Sequence, residues 1–355
     1  MNLSADQQTS YSSWLDRPVF RSFPGFRVET LIVTLILILA VFSRFYILGN
    51  RVMSHDEVNH VVPSWDLYTG KGYTHDPITH GPVQFHLIAL TYFLFGDNDF
   101  TSRIPAALFS IATIAFVLFG FRRYLGRVGA LIAGLLFLIS PYMMFYGRYT
   151  RNGAFVALYG VITIFAILRY LEKGENWTLY LLTIVTALHF ATKETSYIYT
   201  AQLLLFLAFL FMARIARGQW TQEKRRNSFL LMLAGAMMLL ITTIGLAAYN
   251  AVAISPVEGT EAVEGVETAV ASTVLLPTQI AEMITVLGAL ILGVWAIAIL
   301  LRSVGWEKLK QERSFDLLIL TGTLILPQLT AFPVKMVGKI LGLNWNPLDY
   351  TTLGI

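Results

Sequence analysis

Nine apolar runs, each about long enough to cross a bilayer, dictate what this 355-residue chain can become. They lie at 30–48, 103–121, 128–146, 153–171, 178–192, 196–213, 228–253, 276–301 and 315–334. A hydrocarbon core takes roughly 17–25 helical residues, and inside it every backbone N–H and C=O must be paired within its own helix. The predicted fold class is therefore an all-α polytopic membrane protein with about nine spans. Composition agrees: 14% of residues are charged, against about 25% in soluble domains. The chain has no cysteine, which excludes disulfides, thiolate metal sites and cysteine nucleophiles. Its net charge of +4 has no soluble basic domain to sit on, so nucleic acid is not an expected partner.

A tenth apolar run, GPVQFHLIALTYFLFG at 81–96, is sixteen residues long and opens with Gly-Pro. Charge decides whether it spans. If it lies on the membrane surface and the N-terminus is cytoplasmic, the inside loops collect Arg17, Arg21 and Arg27, then Arg122, Arg123 and Arg127. The five cations from Arg214 to Arg226 follow on the same side. Were 81–96 a span, those later loops would flip outward, against the positive-inside rule. The expected topology has a cytoplasmic tail at 1–28, nine spans and a large external loop at 49–102. Within that frame, 29–215 reads as the catalytic-type membrane module. Residues 216–355 read as additional spans with an acidic external loop at 254–275, where Glu258, Glu261, Glu264 and Glu267 recur every third residue.

The first external loop holds five of the six histidines and a run of carboxylates. Its sequence WDLYTGKGYTHDPITHGP is rich in turn formers and predicts two short juxtamembrane helices on either side, VNHVVPSWDLY and HGPVQFHLIALTYFLFG.

Three constellations could carry chemistry. The first is His55-Asp56-Glu57, just outside the first span. No metal spacing such as HExxH surrounds it, so no metal is expected. A shielded carboxylate there could take a proton from a hydroxyl; alternatively it is a solvated loop acid. The second is GRYTRNG, with Arg148 and Arg151 on the outer side, where cations run against the trend. Three apart, they could grip a phosphate, or pair with lipid headgroups or loop carboxylates. The third is HFATKETSY, with Lys193 and Glu194 at the next external hairpin, either facing a cavity or pairing structurally. All three fall on one side of the membrane, and together they suit a lipid-linked phosphate sugar.

The chain resembles the GT-C membrane glycosyltransferases, specifically the dolichyl-phosphate-mannose protein mannosyltransferase-like group of prokaryotes. HDE at 55–57, HGPVQFHLIALTYFLFG with DNDFTSRIPAALFS at 97–110, LGRVGALIAGLLFLISPYMMFYGRYTRN at 125–152 and ATKETS at 191–196 carry the likeness. The resemblance implies a GT-C-like helix bundle in a prokaryotic cytoplasmic membrane with its active face external. It implies inverting transfer of a sugar from a polyprenyl-phosphate donor to an acceptor hydroxyl. Asp56 would then be the base and Glu57 its neighbour, with Arg148, Arg151 and Lys193 on the donor phosphate. His55, His80 and Glu194 complete the expected substrate-binding set.

Two departures stand out. Related sequences tend to carry an acidic residue after RxxRN, where this chain has Gly153. The chain also stops after about nine spans, whereas relatives are usually longer. Both fit an alternative: a catalytically impaired accessory or scaffold subunit among partner membrane subunits. The expected partners are otherwise membrane lipids and the lipid-linked sugar donor. A transporter fits less well, because the ionisable groups gather at one face and not at the midplane.

Overall fold

The computed structural model describes residues 13–20, 22–73, 80–218, 220, 222–254 and 277–329. His75, Asp76, the acidic segment 255–272 and the end of the last predicted span lie outside them. Within them the chain is helical almost throughout. A 3-10 turn, Trp14–Asp16, precedes a two-stranded antiparallel hairpin of β1 (Pro18–Phe20) and β2 (Phe23–Arg27), with Phe20 opposite Phe23 and Pro18 opposite Arg27. Helices α1 (Val28–Phe45), α2 (His55–Tyr68), α3 (Pro82–Phe95), α4 (Asp99–Gly120), α5 (Arg122–Ile139) and α6 (Pro141–Tyr146) follow. Then come α7 (Gly153–Lys173), α8 (Asn176–Phe190), α9 (Thr195–Arg217), α10 (Glu223–Ile254), α11 (Pro277–Val304), α12 (Trp306–Lys310) and α13 (Arg313–Leu329).

Six of these, α1, α4, α7, α9, α10 and α11, are long and apolar enough to cross a membrane. They cover six of the nine predicted spans. The predicted span 128–146 is broken instead. Gly126 at φ 71° interrupts the start of α5, and Pro141 opens a separate helix, α6, after Ser140. Proline has no N–H to give the preceding turn, so carbonyls near the end of α5 lose their helical donor. The buried Arg44 of α1 replaces it, donating from Nη1 to the Leu138 carbonyl at 3.0 Å and from Nη2 to that of Phe137 at 3.2 Å. The other two, α8 with 15 residues and α13 with 17, are shorter.

The 81–96 run forms α3, whose 14 residues rise only about 21 Å, less than a hydrocarbon core. It packs on α2, so the two short helices expected between the first two spans are both present. Its first turn is stapled elsewhere: Gly81 N–H donates to the Thr192 carbonyl at 3.2 Å and Val83 N–H to Ala191 at 3.1 Å. A Cβ on Gly81 would overlap the Ala191 carbonyl, so only glycine lets the two loops approach this closely.

Two compact units emerge, one from the residues up to 206 with those from 317, the other from residues 207–316. In the first, α4 lies at the centre, against α1, α3, α5 and α7. Leu15, Ile36, Ala40, Ile114, Leu118, Leu131 and Leu138 form one buried cluster. Phe155, Tyr159 and Val185 form another, with Phe109 packed on it. In the second unit α10 and α11 pack along each other, joined by a Thr243–Thr285 hydroxyl bond of 2.9 Å. The outer faces of α10 and α11 stay apolar, as in Ile241, Ile244, Leu287 and Trp295, which suits helices bathed in lipid.

Candidate active site

The site grows from the first turn of α2. Ser54 is its N-cap and Glu57 its third residue, and the two close a capping box: the Glu57 N–H donates to Ser54 Oγ, and the Ser54 N–H to Glu57 Oε2. That S-x-x-E pattern was present in the sequence as SHDE. The Glu57 carboxylate is wholly buried and takes four more donors. Arg103 donates from Nε at 2.9 Å and from Nη2 at 3.1 Å, Arg51 from Nη2 at 2.7 Å, and the Thr150 N–H at 3.1 Å. Burial alone would raise this carboxyl's pKa; the Arg103 bond and the N–H groups of Thr150 and Ser54 outweigh it and hold the pKa below the usual value. Arg103, itself buried, also donates to the carbonyls of Leu48 and Arg51, so one guanidinium ties the end of α1, the α2 cap and α4 together.

Asp56 is one residue earlier and therefore about 100° around the helix. Its side chain is 48% exposed and accepts from Arg151 Nη1 at 2.6 Å. Adjacent carboxylates thus meet opposite surroundings: one sealed and saturated, the other open to solvent with one cation on it. Around Asp56 and Arg151 stand Lys193, Glu194, His60 and His80. Burial, then the Arg151 charge, lowers the Lys193 pKa, with Glu194 pulling the other way. His80 adopts φ 71° beside the Gly81 approach, and its Nδ1 lies 2.6 Å from Glu194 Oε2. The buried His60 ring stacks on His80 with centroids 6.0 Å apart. Burial, then the nearby His80 and Arg151, drives the His60 pKa down to about 4, so it is neutral at ordinary pH. His55 stands exposed at the start of α2.

Arg148 goes elsewhere. Its Nη1 and Nη2 donate at 2.6 and 2.8 Å to the carbonyls of Ser43 and Tyr46, capping α1, while Arg151 turns to Asp56. Of the eight residues the sequence singled out, the structure gathers Asp56, Arg151, Lys193, Glu194 and His80. It places Glu57 beneath them, Arg148 on the end of α1 and His55 at the rim.

The residues missed by sequence reasoning are those that hold this arrangement. Arg51 and Arg103 belong to none of the three constellations read in the sequence. Tyr149 and Thr150 passed as spacers within GRYTRNG, yet the Tyr149 hydroxyl lies 2.6 Å from Ser54 Oγ and its ring lies under the Arg51 guanidinium at 5.0 Å. Asn152, wholly buried, donates to the Thr192 carbonyl at 2.9 Å and joins α7 to the 191–194 loop. At Gly153 a Cβ would meet the Tyr146 ring at 3.0 Å, so the ring fills the space a larger residue there would need. Among the described residues no group of three or more His, Asp or Glu is arranged to hold a metal ion.

A polytopic helical bundle carrying a cluster of charged side chains at the start of a short helix fits an all-α membrane protein of GT-C-like build. Residues 79–245, a little under half of the chain, match the family model of dolichyl-phosphate-mannose-protein mannosyltransferase, so that stretch is similar to a family of membrane glycosyltransferases. The match includes His80, Arg103, Arg148, Arg151 and Lys193, and begins beyond Asp56 and Glu57. No curated protein and no solved structure matches the chain.

Proposed function

We propose that the protein transfers a sugar from a polyprenyl-phosphate donor to an acceptor hydroxyl at the external face of a prokaryotic cytoplasmic membrane, with the N-terminus cytoplasmic. Asp56 is the general base, and Arg151 with Lys193 holds the donor phosphate. The observation that carries this reading is the 2.6 Å Asp56–Arg151 pair, open to solvent, above a Glu57 that has no capacity left for substrate. A donor phosphate competing for Arg151 frees Asp56 Oδ2 to accept the acceptor's proton as the hydroxyl oxygen attacks the anomeric carbon. The bond from that carbon to the phosphate oxygen then breaks with inversion, and the polyprenyl phosphate leaves with the bonding electrons. Glu57 acts as a positioning residue, fixing the α2 turn that presents Asp56.

The apolar part of the donor also has a place in this reading. A cavity of about 390 Å³ lies between α7, α8 and α9, lined by Ile164, Thr186, His189, Tyr199 and Phe206 among others. His189 lies in the last turn of α8 and its carbonyl accepts from the N–H of Lys193, just past the helix end, at 3.0 Å, so a chain in this cavity leads toward the phosphate cations. The test is Asp56→Asn in reconstituted protein with a polyprenyl-phosphate hexose. Transfer should fall by at least ~10²-fold, the usual worth of a general base, with melting unchanged. Full activity would remove Asp56 from the chemistry.

A second reading rests on Gly153. With the Tyr146 ring against it, this pocket carries no carboxylate where related sequences tend to have one, which favours a fold retained in an accessory subunit. Mass measurement of the gently solubilised particle separates the two. A lone chain with robust turnover excludes the accessory role; a larger assembly whose activity survives Asp56→Asn supports it.

A further inference from the structure

Residues 13–27 read as part of a cytoplasmic tail in the sequence, yet the structure gives 13–20 and 22–27 a built form. Ser13 caps the 3-10 turn, and Leu15, 1% exposed, is buried among Ile36, Ala40 and Ile114 of the membrane helices. Asp16 and Glu29 then bind the base of the hairpin to α5: Arg127 bridges to both at 2.8 and 2.6 Å, Arg122 bonds Glu29 at 2.8 Å, and Arg27 bonds Asp16 at 3.4 Å.

Connectivity fixes the depth of this hairpin. α1 begins at Val28, directly after β2, and its 18 residues rise about 27 Å, close to a whole hydrocarbon core. Arg27 therefore sits at the hydrocarbon boundary, whichever way the chain is oriented. At that level the hairpin turns large aromatics outward: Trp14, Phe20 and Phe23 are 53%, 56% and 68% exposed. A water-facing hairpin would gain nothing from them, whereas aromatic rings are favoured among headgroups. Charge points to the same occupant. Arg17, Arg27, Arg122 and Arg127 stand here against Asp16 and Glu29; both carboxylates are bonded to arginines, while Arg17 is exposed. The surplus is positive, and basic groups next to a span attract anionic lipid.

We propose that the β1–β2 hairpin is an interfacial anchor that binds anionic phospholipid headgroups, with Trp14, Phe20 and Phe23 inserted among them and Arg17 and Arg27 on their phosphates. The anchor does not depend on sugar transfer.

The absence of cysteine makes the test clean, since Ser22→Cys, exposed at the hairpin turn, takes one spin label in the full-length chain. The labelled protein goes into nanodiscs of phosphatidylcholine alone or with phosphatidylglycerol, and label depth is read from collisions with oxygen and with a water-soluble nickel complex. The expected result is a label at headgroup depth, deeper with phosphatidylglycerol and shallower at high salt. Arg17→Gln should cut the phosphatidylglycerol preference about five-fold, the worth of one basic residue near such a surface. Phe20→Ser with Phe23→Ser should move the label outward without lowering the melting temperature, because both rings are exposed. Full access to the nickel complex in both bilayers would overturn the proposal. So would equal protection in detergent and in either lipid, since a protein and not a lipid would then cover the hairpin.

Discussion

Arg103 grips Glu57 with Nε and Nη2, at 2.9 and 3.1 Å, in a pocket where neither side chain is more than 1% exposed. The pair decides what each of the adjacent carboxylates can do. With Arg51, Thr150 and Ser54 also donating to it, Glu57 is part of the scaffold, and the turn it fixes leaves Asp56 facing outward.

Breaking that pair by one partner should cost more than removing it whole. Arg103→Met takes two donors from a buried carboxylate and leaves only Arg51, Thr150 and Ser54 on it, so its cost should approach about 3–5 kcal/mol, the usual penalty for breaking a buried pair. Thermal unfolding in detergent should show a large drop for Arg103→Met and for Glu57→Gln, and a sub-additive drop for the double variant. Strict additivity would mean the two groups do not share their stabilisation.

Arg151 and Lys193 should separate from Asp56 in kinetics. If they hold donor phosphate, Arg151→Gln and Lys193→Gln raise KM for the polyprenyl-phosphate donor, each by about ten-fold or more for a lost charge-assisted bond, and leave KM for the acceptor alone. A change confined to acceptor KM would place the phosphate elsewhere.

His60 gives a pH signature. Its folded pKa of about 4 lies below the unfolded value near 6.5, so the unfolded chain binds more protons between these limits. The stability contributed by keeping the imidazole neutral is complete above about pH 6.5 and is lost as pH falls toward 4. The melting temperature of the wild type should decline across that window, and His60→Phe, which cannot be protonated, should flatten the decline.

Gly81→Ala tests the loop staple. The added methyl group overlaps the Ala191 carbonyl, so the 81–83 and 191–192 segments must part, at a cost of about 1–3 kcal/mol typical of overpacking. Since the same approach carries the His80–Glu194 pair beside Lys193, transfer activity should fall with the melting temperature. Ala at exposed Gly25, where a Cβ meets nothing within 4 Å, is the matching control and should change neither.

Much of the helical plan was legible because burial in lipid leaves a long, one-dimensional record. Apolar length marked α1, α4, α7 and α9–α11, and the sixteen-residue run at 81–96 marked α3 as a shorter helix. The break at Ser140–Pro141 was written in the sequence as a proline, but an uninterrupted run of apolar side chains on both sides masked it. For the site, the sequence supplied the ionisable residues and not their partners. Arg148 and Arg151 share a motif and a charge, yet one caps α1 through backbone carbonyls, which leave no trace in a sequence. Asp56 and Glu57 differ by one methylene, and their opposite exposure came from the cap at Ser54 and from Arg103, 46 residues away. Pairings across such distances are decided in three dimensions.

The bond from Arg44 to the Phe137 and Leu138 carbonyls binds two positions into one mutational unit. Arg44 is a wholly buried cation, held by carbonyls and by the Ser43 and Ser110 hydroxyls. The carbonyls are available because Pro141 interrupts the helix after them. Pro141→Ala alone would let α5 and α6 fuse, leaving the guanidinium competing for oxygens already taken. Arg44→Met alone would leave those oxygens bare in a dry interior. Each change should be tolerated better in the presence of the other, so this kink and this arginine are expected to be gained and lost together: a sign-epistatic pair separated by almost a hundred residues of chain.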